Sequence, residues 1–531
     1  MPADGRCDAP RDGHERPRDA IDHPAGTTVS IRDSAHISAE VCVIGAGAGG
    51  AVAAAELAEG GMDVVVLEEG HWHDPDTFTA RPPEMLAQLY RDGSQTITLG
   101  NPPILLPLGR GLGGTTLINS GTCFRTPARV LEHWQREFGL DVSEESLRPC
   151  FERVEEALSV GEVTPELAGA NAEVARRGAA HLGWSHGYLR RNARGCVGSG
   201  VCAFGCPTSA KQHTGITYIP RAERAGARIV TGARVERVLL ENGAASSLAR
   251  ANGVPVARGV QARMASGARV QVRAPIVIVA AGTIHTPLLL ARSDLGAQSG
   301  QLGQNLSLHP ATAVFARMEE IVDMAHGVPQ SFYVDEFAGE GIIFEGVAGP
   351  PAYAAMSLPL TGARHTEAMA DYRRLAQFGV MVSDSSRGSV QALAGRPLIR
   401  YDLTDADLRR FRTGLARMRE LFEAAGAREV YLPLPDGVSP ERARLRDLKL
   451  MAFHPLGTAR ADARPAHGVI DGELQVHGVR GVYVADGSAV PSSLGVNPQM
   501  TIMALATRLA FGLLGREVEG SQINEEAACH S

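Results

Sequence analysis

The sequence predicts an α/β fold of two lobes, on two observations. Residues 40–68 lay out strand, glycine-rich turn, helix, strand and acid in that order, and a chain of 531 residues is too long to close around one hydrophobic core. Composition is that of a globular protein, with 44% hydrophobic and 21% charged residues. A net charge of −7 and the lack of any Lys/Arg block argue against a nucleic-acid surface; the cationic side chains are nearly all arginine, Lys211 and Lys449 being the lysines. No apolar run is long enough to span a bilayer. Residues 1–37 mix Asp, Arg, Pro and His with charges of both signs and read as a disordered tail; residues 516–531 form a C-terminal tail. The N-terminal tail has no apolar secretory segment, so a cytoplasmic location is expected, although export beside a signal-bearing partner would leave no trace.

The first element is a short β-branched strand, Glu40–Gly45, which runs into Gly45-Ala46-Gly47-Ala48-Gly49-Gly50. A helical run follows from Ala51 to Ala58, then Gly60-Gly61, a second strand Asp63–Leu67, and Glu68. Gly45 permits the tight turn, Gly47 lets backbone N–H groups approach a pyrophosphate at the helix N-terminus, and Gly50 allows close packing of helix and strand. Glu68 stands where a carboxylate accepts from ribose hydroxyls. The whole unit reads as a Rossmann-type dinucleotide site, and the motif alone does not separate FAD from NAD.

Residues 109–126, G-R-G-L-G-G-T-T-L-I-N-S-G-T-C-F-R-T, interleave Gly111, Gly113 and Gly114 with Thr115, Thr116 and Asn119. Such density of small residues and free N–H groups suits backbone laid along a flat ring or a phosphate. The stretch resembles the first signature of the glucose–methanol–choline (GMC) oxidoreductases. Residues 281–296, A-G-T-I-H-T-P-L-L-L-A-R-S-D-L-G, are similar to the second, with Asp294 where glycine is usual. His454-Pro455-Leu456-Gly457-Thr458 and Asn497-Pro498-Gln499-Met500-Thr501 match the catalytic segments, and Tyr483–Ser488 resembles the strand and turn that close over the flavin. The likeness runs in order from about residue 38 to 513.

The resemblance implies non-covalent FAD and a discontinuous layout. An FAD domain would use 38–130, 220–310 and 447–515, and a substrate domain built on an antiparallel sheet would use 131–219 and 311–446. The family's covalent members attach FAD through a histidine in or near the first glycine signature, and no histidine lies between His73 and His133. Gly45, Gly47, Gly50, Glu68, Gly113, Gly114, Thr115, Asn119, Val235, Asp486 and Asn497 are the expected cofactor contacts. Strand-like stretches at 227–238 and 274–282, and a helix opened by Thr404-Asp405-Ala406-Asp407 and ended by Gly426, agree with that division.

Alcohol oxidation removes a hydride from carbon and a proton from oxygen. The hydride can pass to flavin N5, and the proton needs a base titrating near neutrality, which histidine supplies. His454 is the candidate base, its backbone restricted by Pro455. The resemblance makes Asn497 its partner, placing the substrate hydroxyl; many members have histidine there, so the chain falls in a His/Asn subset. His309, in L-S-L-H-P, reads as structural. A non-redox lyase on the same fold is the reading from another class.

Cys196, Cys202 and Cys206 stand in the segment 195–211 with spacing C-x5-C-x3-C-P. Three readings are open: an iron–sulfur cluster, which resemblance to GMC sugar dehydrogenases would make [3Fe–4S]; zinc, with a fourth ligand such as His213; or free thiols in a glycine-rich turn. A cluster would direct electrons to a redox partner, and without one the reduced flavin meets O₂ or another acceptor directly. Residues 342–360 and 376–384 are expected to line the pocket, and the substrate expected is an alcohol of moderate to large apolar size, long-chain or sterol-like, with a sugar or polyol as the alternative.

Overall fold

The computed structural model describes residues 34–241, 253–385 and 387–518. The first expected strand is Val41–Ile44, buried throughout. At Gly45 the chain turns with φ 98°, and a Cβ there would stand 2.3 Å from Ala280 O, so angle and space both demand glycine. The helix after it, Ala48–Glu59, exceeds the apolar run at both ends because Gly47 and Gly60 are its caps.

Five parallel strands form one sheet in the order Val482–Val484, Ile276–Val279, Val41–Ile44, Val64–Glu68, Arg228–Thr231. Their near-continuous apolar sequences suit a sheet covered on both faces. Helices Ala48–Glu59 and Gln499–Leu513 pack together beside it, bringing the Gly45–Gly50 turn next to the segment that carries Asn497.

The strand-like stretch 227–238 divides in two. Arg228–Thr231 closes the parallel sheet, whereas Ala233–Glu241 enters a separate four-stranded sheet of order Ala35–Ser38, Arg269–Arg273, Val256–Met264, Ala233–Glu241. Gly232 makes the break, with φ 70° and its N–H donated to Gly70 O at 2.9 Å. Residues 35–37, expected in the N-terminal tail, belong instead to a strand paired in parallel with Arg269–Arg273, which supplies their backbone partners. The remainder of both expected tails, residues 1–33 and 519–531, lies outside the described residues.

The second lobe rests on an eight-stranded sheet. Its order is Ile104–Leu105, Leu450–Met451, Ala311–Arg317, Leu375–Val382, Ile342–Gly346, Phe332–Val334, His186–Tyr188, with Glu429–Tyr431 also on Ala311–Arg317. All pairs are antiparallel except Ile104–Leu105 with Leu450–Met451. The expected helix at 405 is Asp405–Ala424, and it packs on this sheet together with Ala170–Leu182. Its capping box is complete, Thr404 Oγ1 accepting from Asp407 N at 3.2 Å and Asp407 Oδ2 from Thr404 N at 2.9 Å. Separate hydrophobic cores surround the parallel and antiparallel sheets. Among the described residues no helix is long and apolar enough to cross a membrane.

Candidate active site

A cavity of about 430 Å³ runs between the two lobes. Gly45, Gly47, Glu68, Gly114, Thr115, Asn119, Val235, His454, Asp486 and Asn497 all line it, although they come from seven separated stretches of chain. Gly50 and Gly113 stand behind the wall. A Cβ on Gly50 would lie 2.1 Å from Gly45 O, and Gly113 N donates to Ala46 O at 3.2 Å while its α-carbon faces His213.

At one end, Glu68 Oε2 accepts from Ala46 N at 2.9 Å and Oε1 from Gly70 N at 2.7 Å. The carboxylate thereby holds the glycine turn against the second strand. Burial nevertheless raises its pKa, the two backbone donors offsetting only part of that cost. Among the described residues outside its own turn, no heavy atom comes closer than 3.9 Å to a Cβ placed on Gly47, so the helix N-terminus opens to the cavity. Asn119, expected to touch cofactor, turns its amide inward: Nδ2 donates to Gln499 Oε1 at 2.7 Å, and Oδ1 accepts from Gly121 N at 3.1 Å. Thr115 Oγ1 accepts from Gly109 N at 3.3 Å. Asp486 accepts four donors, Gly282 N, Thr286 Oγ1, Ser488 N and Ser488 Oγ, and so ties the 282–286 stretch to its own turn at 486–488.

At the other end, Asn497 Nδ2 stands 3.3 Å from His454 Nε2 and 3.4 Å from Glu345 Oε2. Burial, with His309 beside it, holds the His454 imidazole well below its usual range, so the ring is neutral. Thr283 Oγ1 donates to Pro455 O at 2.6 Å and fixes the backbone next to it. Glu345 went unnoticed as a site residue in the sequence. It is buried, its Oε2 also accepts from Gln330 Nε2 at 2.5 Å, and burial pushes its pKa up to about 7. The signal that marks it is one carboxylate inside the apolar strand I-I-F-E-G, where an unpaired charge is expensive. The segments expected to line the pocket contribute Glu345, Val347, Tyr353 and Met356 from the first, and Gly379 and Met381 from the second.

These residues fit FAD. The cavity joins an open helix N-terminus and a buried carboxylate to a far end where His454 Nδ1, Asn497 Oδ1 and Glu345 Oε1 are buried with no hydrogen-bond partner among the described residues. His73 packs against Gly111 and is absent from the cavity wall.

Cys196, Cys202 and Cys206 line one cavity, of about 10 Å³, which is room for about one water. Two cations occupy its wall. Arg191 Nη2 donates to Cys202 Sγ at 3.2 Å, and the ammonium of Lys211 donates to the carbonyls of Leu117, Asn119 and Cys202 at 2.9, 2.6 and 2.8 Å. Among the described residues no group of three or more His, Cys, Asp or Glu is placed to hold a metal ion. The three cysteines are free of disulfides, and the structure lends no support to an iron–sulfur or zinc site over free thiols. His213 does not join the sulfurs; it packs against Gly113 and Gly215.

Comparison with known proteins points the same way as the geometry. The GMC oxidoreductase family models match residues 86–311 and 384–506, and an NAD(P)-binding Rossmann-like model matches 43–77. A Mycobacterium tuberculosis protein described as an uncharacterized GMC-type oxidoreductase is 40% identical over 499 residues, covering 91% of this chain and 77% of that protein. A long-chain-alcohol oxidase of Arabidopsis thaliana is 29% identical over 511 residues, covering 90% of this chain and 66% of that one. Among solved structures, pyridoxine 4-oxidase from Mesorbium loti superposes with a TM-score of 0.69 at 18% identity, over 89% of this chain and 99% of that one. Formate oxidase superposes with a TM-score of 0.68 at 16% identity, over 91% and 98%.

Proposed function

Because the chain belongs to the GMC oxidoreductase family and is an FAD-dependent oxidoreductase, we propose that it oxidises an apolar alcohol to the aldehyde or ketone, with His454 as general base and Asn497 as the hydroxyl-positioning residue. The observation that carries this reading is the pair itself: a neutral imidazole and a carboxamide 3.3 Å apart at the end of an apolar-walled cavity. Gly45, Gly47, Glu68, Gly114, Thr115, Val235 and Asp486 would hold FAD along the cavity, with Gly50 and Gly113 shaping the turns behind it.

A substrate oxygen entering between His454 and Asn497 accepts from the Asn497 amide and donates its proton to His454 Nε2. The O–H bond breaks toward the imidazole, the C–H electron pair leaves as hydride, and the carbon–oxygen double bond forms. FAD, when bound, supplies the acceptor for that hydride. Burial leaves His454 Nε2 unprotonated and free to accept, and makes it a weaker base than an exposed imidazole, so the transfer depends on the positioning of the hydroxyl by Asn497. The far wall is apolar, with Leu86, Phe204, Met356, Met381, Met451 and Phe453 facing the cavity. That lining suits a long-chain or sterol-like alcohol better than a sugar, whose hydroxyls would be buried without partners. The alcohol-oxidase relatives favour O₂ as the electron acceptor.

The test is flavin reduction by stopped flow under anaerobic conditions. His454→Ala is expected to retain FAD and slow reduction by about 10²–10⁴-fold, the worth of a positioned base. Reduction at the wild-type rate would remove His454 from that role.

A further inference from the structure

The relative placement of His454 and Asn497 is not set by either of their own segments. Both are keyed to a third, residues 307–309. Ser307 and Leu456 exchange backbone hydrogen bonds in both directions, Ser307 N to Leu456 O at 3.0 Å and Leu456 N to Ser307 O at 2.8 Å, two residues beyond His454. His309 Nε2 accepts from the N–H groups of Leu494 and Gly495 at 2.8 and 3.0 Å, just before Asn497. The His309 and His454 rings meet edge to face at 5.5 Å.

The segment is itself held rigidly. Asp384, buried, accepts from Ser307 Oγ at 2.8 Å, from Leu308 N and His309 N at 3.2 Å each, and from the hydroxyl of Tyr401. His309 is fully buried and sits at φ 48°, a left-handed conformation that a non-glycine residue keeps only where its surroundings over-determine it, as at functional sites. An imidazole nitrogen that accepts two N–H groups carries no proton. His309 is therefore neutral with its proton on Nδ1, in keeping with a pKa pushed down to about 3 by burial. A neutral neighbour also spares His454 a like charge when it takes a proton.

We propose that His309 is a positioning residue for the oxidation: its Nε2 fixes the Leu494–Gly495 turn, and with it the separation of Asn497 from His454. This rests on the assignment of that pair as the reacting groups. Losing the acceptor releases two buried N–H groups and lets the turn shift, and a shift on the order of 1 Å is enough to cost about 10²-fold in rate.

The test compares His309→Met, which fills the space without a comparable acceptor, with His309→Gln, whose Oε1 reaches the Nε2 position. For each, FAD content, anaerobic flavin-reduction rate and apparent substrate Kd are measured, with His454→Ala and Asn497→Ala in parallel. The methionine variant should keep FAD, bind alcohol within about 3-fold of wild type and reduce its flavin about 10–100-fold more slowly, while the glutamine variant recovers most of the rate. A methionine variant with full FAD and wild-type reduction overturns the proposal. So does a glutamine variant that holds FAD yet is as slow as methionine. If His454→Ala and Asn497→Ala also reduce normally, the catalytic pair is wrong; if they are slow and His309→Met is not, only the positioning role is wrong. Should His309→Met yield no holoenzyme, ¹⁵N-histidine spectra of wild type decide, the His309 signal being assigned by its loss in His309→Gln. A neutral Nδ1–H tautomer from about pH 5 to 9 supports the clamp, and protonation of Nε2 in that range refutes it.

Discussion

Glu345 offers a prediction whose size follows from its surroundings. Its carboxyl is buried, and burial raises its pKa from 4.5 to about 7. In the native state the group therefore keeps its proton through a range where the unfolded chain has lost it. Native protein binds the extra proton between about pH 4.5 and 7, so the contribution of Glu345 to stability falls as pH rises through that window and levels off above it. A rise from 4.5 to about 7, at about 1.4 kcal/mol for each tenfold, amounts to about 3.5 kcal/mol in full, most of it falling between pH 4.5 and pH 8. Glu345→Gln keeps the shape and an acceptor for Asn497 but has no proton to lose. The stability of the glutamine variant relative to wild type should thus grow by about 3 kcal/mol between pH 4.5 and pH 8. Urea unfolding of both holoenzymes, followed by flavin fluorescence at a series of pH values, measures this. A difference that stays constant with pH would show that Glu345 ionises normally in the folded protein, and would refute the argument that burial dominates at that carboxyl.

Purified protein should be yellow and should release intact FAD into the supernatant on acid precipitation; flavin remaining with the pellet would show a covalent link. Metal analysis of anaerobically purified protein should find neither iron with acid-labile sulfide nor zinc at one equivalent per chain, whereas stoichiometric iron with sulfide would assign a cluster to Cys196, Cys202 and Cys206 and refute the free-thiol reading. Replacing Lys211 by methionine removes the ammonium that ties Leu117 O and Asn119 O to Cys202 O, and should lower FAD retention, read as flavin absorbance per chain. Full retention would separate the cysteine segment from the cofactor loop.

Local chemistry made much of this molecule legible before its fold was known. The turn at Gly45 and the acid at Glu68 are written in residue types that few other structures need, and Thr404 with Asp407 spells a helix start. What escaped the sequence depends on distant partners. The break at Gly232 follows from a backbone bond to Gly70, and the strand at 35–38 exists because Arg269–Arg273 lies beside it. His309 read as merely structural because its two partners lie 185 and 186 residues away. Glu345 touches Asn497 across a separation of 152 residues, and only burial distinguishes it from a solvated carboxylate. The cysteines show another limit: their spacing leaves cluster, zinc and free thiols open, and the neighbours that line the same cavity, Arg191 and Lys211, come into view only in three dimensions.

The central claim is that His454 and Asn497 oxidise an apolar alcohol at a bound flavin. Its most direct test is anaerobic titration of the holoenzyme with a panel of long-chain alcohols, sterols and sugars, recording flavin absorbance and the carbonyl product together. The account predicts that an apolar alcohol bleaches the flavin and yields one aldehyde or ketone per FAD, and that His454→Ala bleaches far more slowly with the same alcohol. Flavin that stays oxidised with every apolar alcohol, or that is bleached only by sugars, would contradict it.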